Sequence, residues 1–247
     1  MTYAVVFEGC ACRSAFAAGV GAELARARLP VTIAAGASSG SIIAAAFAAG
    51  LGADLPALWE DVGGRSIVSL RRMLHNRSPF DMSTIVRDAL RRSIGGGDLR
   101  AHPIEALCTA TRLRDLRTLV LSSREEPDFA HAVLGSCFFP LLYGRTIRVR
   151  GELVIDGGAT DNLPIAAAAA RGARTVLAVV PAADGTAMRR PFTPRVRPEE
   201  LAPPGVRVIT VHPRTPLAIR SWDLDRDRMR AAIAAGRVAA ARALDLV

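Results

Sequence analysis

The sequence predicts an α/β protein: a mostly parallel central sheet sandwiched by helices. Three observations lead there. Short apolar runs of strand length, at residues 3–7, 31–35 and 175–180, alternate with stretches of helical periodicity. At 247 residues, half of them hydrophobic, the chain suits one α/β domain with an ample core. Alanine is abundant and aromatics are 5% of the chain, so the helices are expected to pack closely through small side chains.

The elements follow in order. The chain enters its first strand at Tyr3, and residues 14–28 read as a helix with Phe16, Val20 and Leu24 four apart. The run Val31-Thr32-Ile33-Ala34-Ala35 is a second strand, and residues 41–50, almost all Ala, Ile and Phe, form the next helix. Residues 51–98 are read as a helical, cap-like insertion. Leu58, Trp59, Val62, Ile67, Leu70 and Met73 lie there among arginines. Within it, residues 81–94 make an amphipathic helix with Ile85, Val86, Ala89 and Leu90 inward, ended by Gly95-Gly96-Gly97. This segment reads equally as a cap carrying a lipid or partner contact and as ordinary helical packing. Residues 103–111 and 118–122 supply strands at the sheet edge, and 146–155 reads as two short strands around a turn at Gly151. Residues 175–180 form a buried strand, 182–204 a long surface loop rich in Pro and Arg, and 206–211 a late strand. A final helix, 225–244, is capped by Asp225, with Met229, Ile233 and Val238 on its inner face.

Composition narrows the functional classes. The net charge is +9, with every basic residue an arginine, which permits contact with anionic membrane surfaces, acidic carriers or nucleic acid. Nucleic acid is not expected as a partner, because no binding motif or stacking aromatics accompany the arginines. Cys10, Cys12, Cys108 and Cys137 give no disulfide framework. Cys10-x-Cys12 has no second Cys/His pair of matching spacing, so no metal is expected. No run approaches the ~20 apolar residues of a spanning helix. No basic leader precedes Tyr3, so the expected location is the cytoplasm, with peripheral contact to membranes.

Two motifs carry chemistry. Gly36-Ala37-Ser38-Ser39-Gly40 sits between a strand and a helix, the context of a nucleophile elbow. Small residues let the backbone turn sharply and expose the serine oxygen, while the following helix aims its N-terminal amides toward developing negative charge. Asp156-Gly157-Gly158 follows a strand and precedes Asp161-Asn162-Leu163-Pro164. Its glycines let that aspartate approach another loop closely.

Together these motifs resemble the patatin-like phospholipase family, which pairs a Gly-x-Ser-x-Gly serine with an Asp-Gly-Gly or Asp-Gly-Ala aspartate. Val5-Val6-Phe7-Glu8-Gly9 with Arg13 and Ala18-Gly19-Val20 resembles the family's first strand, oxyanion loop and helix. Ser136-Cys137-Phe138-Phe139-Pro140 resembles its Ser-x-x-x-Pro segment, and Asn162-Leu163-Pro164 its Asn-x-Pro. The resemblance runs nearly end to end and implies a single three-layer patatin-like domain over residues 1–247. It implies a serine carboxylic ester hydrolase acting on a lipid or acyl-ester substrate, of phospholipase A, lysophospholipase or esterase type, with no cofactor. Ser38 would be the nucleophile and Asp156 its general base, with no histidine between them. Gly9, Cys10, Ala11, Cys12 and Arg13 would form the oxyanion loop, and Gly36, Gly40, Gly157 and Gly158 would support the motifs. Arg13 would brace the loop or face an anionic group of the substrate.

One departure stands out. Where the family has Gly-Gly-Gly-x-Arg/Lys-Gly, this chain has Gly9-Cys10-Ala11-Cys12-Arg13-Ser14. Any of Cys10, Ala11 or Ser14 forced into a left-handed conformation costs about 1–2 kcal/mol. A second reading follows from this loop: a catalytically weak relative kept as a lipid- or partner-binding module. A third is a triad, since Ser38, Asp156, His212 is the chain order of α/β-hydrolases. The Asp-Gly-Gly context favours the dyad and a structural role for His212. His75, His102 and His131 are expected at the surface without partners.

Overall fold

The computed structural model describes residues 2–63, 99–139 and 147–247. Among the described residues one sheet contains eight strands: β1 (Tyr3–Phe7), β2 (Val31–Ala37), β3 (Glu105–Arg112), β4 (Arg117–Ser122), β5 (Ile147–Val149), β6 (Glu152–Asp156), β7 (Thr175–Val179) and β8 (Arg207–Val211). Its helices are α1 (Ala15–Arg26), α2 (Ser39–Ala48), α3 (Leu55–Val62), α4 (Phe129–Ser136), α5 (Ile165–Ala170) and α6 (Arg226–Leu244). Strands β3, β2, β1, β7 and β8 lie side by side and parallel, and β4, β5 and β6 add antiparallel pairings beyond β2. The expected mostly parallel α/β sheet is therefore present.

Alternation along the strands builds the layers. On β1, Tyr3, Val5 and Phe7 face one apolar cluster while Ala4 and Val6 face the other. The first cluster takes in α1, α2, α4 and α6; the second is thinner, formed with Leu163, Ile165 and Ala168 around α5. Because both faces of β1 and β7 are covered, their strands read as continuous apolar runs. Helices α1 and α6 cross at glycines. A Cβ on Gly19 would lie 2.0 Å from the Ile233 carbonyl oxygen, and one on Gly236 2.1 Å from that of Phe16. Small residues thus set the spacing of the outer helical layer, as the alanine-rich composition suggests.

Three sequence expectations change. Strand β3 is interior rather than at the edge, because β2 and β6 cover one side of it and β4 the other. Val238 is 61% exposed, since the buried stripe of α6 runs through Met229, Ala232, Ile233, Gly236, Ala240 and Ala243. Five residues past Ile233 is about 140° off that stripe at 3.6 residues per turn. His131 has a partner: its Nε2 lies 2.8 Å from the Arg148 carbonyl oxygen. Of the 51–98 insertion, α3 packs its buried Leu55 and Trp59 into the cluster shared with α1 and α6. The helix expected at 81–94, its glycine stop and His75 lie outside the described residues.

Candidate active site

Ser38 terminates β2 and caps α2 with φ 50 and ψ −129, a region that L-residues seldom occupy. The turn needs glycine on both sides. A Cβ on Gly36 would lie 2.4 Å from the Gly40 carbonyl, and one on Gly40 2.3 Å from the Phe7 carbonyl oxygen. The strained serine is fixed from outside as well. Its N–H donates to Ser136 Oγ (2.9 Å), and its carbonyl accepts from Ser41 Oγ (2.6 Å).

Strand pairing brings Asp156 to the same place. β3 pairs with β2 as far as Thr109, opposite Ala37, and from Ala110 onward with β6, where Asp156 is the partner of Ala110. Since β4 occupies the other edge of β3 over Leu107–Arg112, β2 and β6 meet end to end along one edge. Gly157 closes the gap, because a Cβ there would lie 2.1 Å from the Thr109 carbonyl oxygen. The Asp156 backbone is held by Phe138 O (2.7 Å from its N) and by Thr111 Oγ1 (2.9 Å from its O). Its Oδ1 accepts from the Gly158 N–H at 2.7 Å. Burial pushes the Asp156 carboxyl up from 3.8 to about 6, against the opposing influence of the Ser38 hydroxyl and the Gly158 amide.

The loop after β1 completes the cluster. Gly9 is wedged in: a Cβ there would lie 2.4 Å from Asn162 Oδ1 and 3.1 Å from Ser38 Cβ. Asn162, 2% exposed, donates from Nδ2 to Gly9 O (2.9 Å) and accepts the Gly9 N–H on its own carbonyl (3.2 Å). Of the three replaced glycines, only Ala11 is left-handed (φ 52), while Cys10 (φ −154) and Ser14 (φ −65) are ordinary. The Cys10 N–H donates to Ser39 Oγ (3.1 Å), Cys12 N–H to Ser221 O (3.0 Å) and Arg13 N–H to Cys10 O (3.2 Å). Among the described residues, the Ala11 N–H has no acceptor. The Arg13 guanidinium donates to Pro181 O (2.8 Å). It also lines a cleft of about 620 Å³ with Arg195 and Arg220, beside the loops that follow β7 and β8. The Cys10 thiol lies 3.2 Å from Ser14 Oγ, and burial pushes it up to about 12, so it stays protonated.

Two contributors were not visible from the sequence. Ser39 Oγ ties Cys10 to Ser14, which it meets at 2.7 Å, and Ser136 Oγ receives the Ser38 amide. Their motifs were visible, but hydroxyl partnerships over 25 and 98 residues leave no local pattern. Pro140, of the Ser-x-x-x-Pro segment, lies outside the described residues. His212 is placed elsewhere. It follows β8, three strands from β2, a separation of about 14 Å at ~4.8 Å per strand. Its Nδ1 lies 3.0 Å from Ala183 O and 3.1 Å from Pro213 O.

Comparisons with known proteins bear on the fold and the family. The crystal structure of VipD from Legionella pneumophila matches the fold with a TM-score of 0.56 at 13% identity. The match covers 99% of this chain but 66% of that one, just under two thirds of its length. No curated protein matches. The family model described as patatin-like phospholipase matches residues 5–169, more than half of the chain and inclusive of both the Ser38 turn and the Asp156 turn. The chain belongs to the patatin-like phospholipase family.

Proposed function

We propose that this protein is a serine acyl hydrolase of lipid esters, of phospholipase A, lysophospholipase or esterase type, working with a Ser38–Asp156 dyad in one domain over residues 1–247. The observation that carries the reading is the end-to-end meeting of β2 and β6 on one edge of β3, which sets a strained serine against a carboxyl raised to about 6. A carboxylate with that value is a better base than an exposed aspartate yet is mostly ionised at neutral pH.

Ser38 Oγ attacks the ester carbonyl carbon while its proton passes to Asp156. The resulting oxyanion takes hydrogen bonds from the open Ala11 N–H and from the Ser39 and Gly40 amides at the start of α2, the Ser41 amide being taken by Ser38 O. Collapse breaks the ester C–O bond, and the leaving alcohol takes the proton from Asp156. Water then gives a proton to Asp156 and attacks the acyl carbon, and Ser38 leaves with that proton. The net charge of +9 fits an enzyme that meets its lipid peripherally. Among the described residues, no helix is long and apolar enough to cross a membrane.

One observation favours a weaker second reading, a binding module with residual turnover. The Cys10 amide, in the stretch where the family supplies glycine amides, already donates to Ser39 Oγ. Labelling with a fluorophosphonate probe separates the two. Labelling of the wild type that disappears in Ser38→Ala and Asp156→Asn supports the hydrolase. A folded wild type that does not label overturns it in favour of the binding module.

A further inference from the structure

We propose that the loop at residues 188–197 is a membrane-docking wedge that seats the protein on anionic lipid, with Phe192 entering the bilayer interface. The proposal rests on the lipid-hydrolase reading for its purpose but stands on separate observations.

The loop reads Met188-Arg189-Arg190-Pro191-Phe192-Thr193-Pro194-Arg195-Val196-Arg197: four exposed arginines, no acid, and one aromatic at its centre. Phe192 is fully exposed, and its φ is 60. A lone exposed aromatic is ordinary on a protein surface. A bulky residue held left-handed in order to be exposed is not, because the same side chain could relax to a common backbone region.

The rest of the loop keeps it there. Ala187 and Val196 form an antiparallel bridge at its base, and Arg195 grips Thr186 through Nε to Oγ1 (2.8 Å) and through its terminal nitrogen to the carbonyl (2.5 Å). Thr193 Oγ1 donates to Arg190 O (2.9 Å), and Pro191 and Pro194 stiffen both flanks. These contacts hold the tip in its exposed form.

Its base is hydrogen-bonded to segments that flank the candidate active site. Met188 N–H donates to Glu8 Oε1 (2.7 Å), Asn162 N–H to Arg189 O (3.1 Å), and Arg190 Nε to Thr160 O (3.0 Å). Glu8 adjoins Gly9, Asn162 clasps it, and Thr160 follows the Asp156 turn. A lipid surface engaged by this tip is therefore tied through hydrogen bonds to the segments that position Gly9 and Asp156.

The chemistry points to one partner. Arginines are drawn to the negative surface potential of anionic phospholipid and hydrogen-bond its phosphates, while an aromatic ring gains by leaving water at the headgroup level. The tip itself contains no acid; the carboxylates that face its arginines sit at its base, Glu8 at 3.7 Å from Arg195 and Asp161 within electrostatic range of Arg189 and Arg190.

Co-sedimentation with vesicles of phosphatidylcholine, with and without phosphatidylglycerol, tests it, using Ser38→Ala protein so that no lipid is consumed. Binding should require phosphatidylglycerol and fall with added salt. Phe192→Ala should weaken it by roughly tenfold or more, the worth of one buried aromatic side chain. Arg189→Gln with Arg197→Gln should remove most of the salt dependence. Because these side chains are exposed, the variants should fold as the parent does, and turnover of a water-soluble ester by proteins that keep Ser38 should be unchanged. Equal vesicle binding by Phe192→Ala overturns the wedge even if ester turnover is strong. Phe192-dependent binding without any ester turnover upholds the wedge and overturns the hydrolase reading instead.

Discussion

Ala37 and Asp156 occupy successive positions along one edge of β3, the first opposite Thr109 and the second opposite Ala110. This register brings Ser38 and Asp156, far apart in the chain, to the same place. One strand hands its edge from a parallel partner to an antiparallel one, and the two chain ends at that handover carry the serine and the carboxyl. Rigid strands rather than loops therefore fix the geometry, which suits chemistry that is sensitive to small misplacements.

Under the proposed dyad, the raised carboxyl of Asp156 sets the pH profile. Only the ionised form can accept a proton, and burial moves its titration from 3.8 to about 6. For a soluble ester, kcat/KM should rise from about pH 5 to about pH 7 around a midpoint near 6 and then level off. Asp156→Asn should lose on the order of 10²–10⁴ in kcat across that range, the usual contribution of a general base. A wild-type profile that is flat through this midpoint would exclude Asp156 as the base.

His212 should be dispensable for turnover. Its ring sits by Ala183 O and Pro213 O at the end of β8, three strands from the strand that carries Ser38. His212→Ala should retain ester hydrolysis within about threefold and lose roughly 1 kcal/mol of stability from the missing hydrogen bond. Loss of activity in a protein of native circular dichroism would restore the triad.

Ala11 is the one replaced glycine that carries conformational strain. At φ 52 an alanine costs about 1–2 kcal/mol, whereas glycine accepts this region but loses about 0.5–1 kcal/mol more entropy on folding. Ala11→Gly should thus stabilise the protein by up to about 1.5 kcal/mol. Cys10→Gly and Ser14→Gly should not stabilise it, since both positions already have negative φ. Urea unfolding of the three variants checks this, and an equal gain in all three would count against strain at Ala11 alone.

The difference between those three positions also marks how far the sequence could be read. The nucleophile turn and the Asp-Gly-Gly turn were legible because each is local, a strand followed by glycines whose missing Cβ atoms leave room for a neighbouring backbone. The strand periods revealed the sheet and its parallel character. Strand order was less accessible: β3 looked like an edge because nothing in its own sequence records that β6 continues where β2 stops. Val238 was misplaced because one apolar residue does not locate the stripe of a helix whose buried face is mostly alanine and glycine. The partners of Ser39 and Ser136 are not legible in their motifs because a hydroxyl can serve any nearby amide, and only the fold selects which.

Glu8 supplies a test of stability rather than catalysis. It is 3% exposed, its Oε1 accepts the Met188 amide, and its Oε2 has no partner among the described residues. Burial pushes its carboxyl from 4.5 up to about 7, only partly offset by Met188, Arg195 and Arg13. A folded value above the unfolded one means that the fold favours the protonated acid. That contribution is complete below about pH 4.5 and is lost as the pH rises through about 7, where a poorly solvated charge remains. Glu8→Gln keeps an oxygen for the Met188 amide and cannot ionise, so this part of the pH dependence should vanish. Relative to wild type, the variant should gain on the order of 3 kcal/mol between about pH 4.5 and about pH 8, since each pH unit separating the folded and unfolded titration points is worth about 1.36 kcal/mol. Urea unfolding of both proteins across that range reads the gain directly. Two parallel curves would show that Glu8 titrates as an ordinary carboxylate despite its burial.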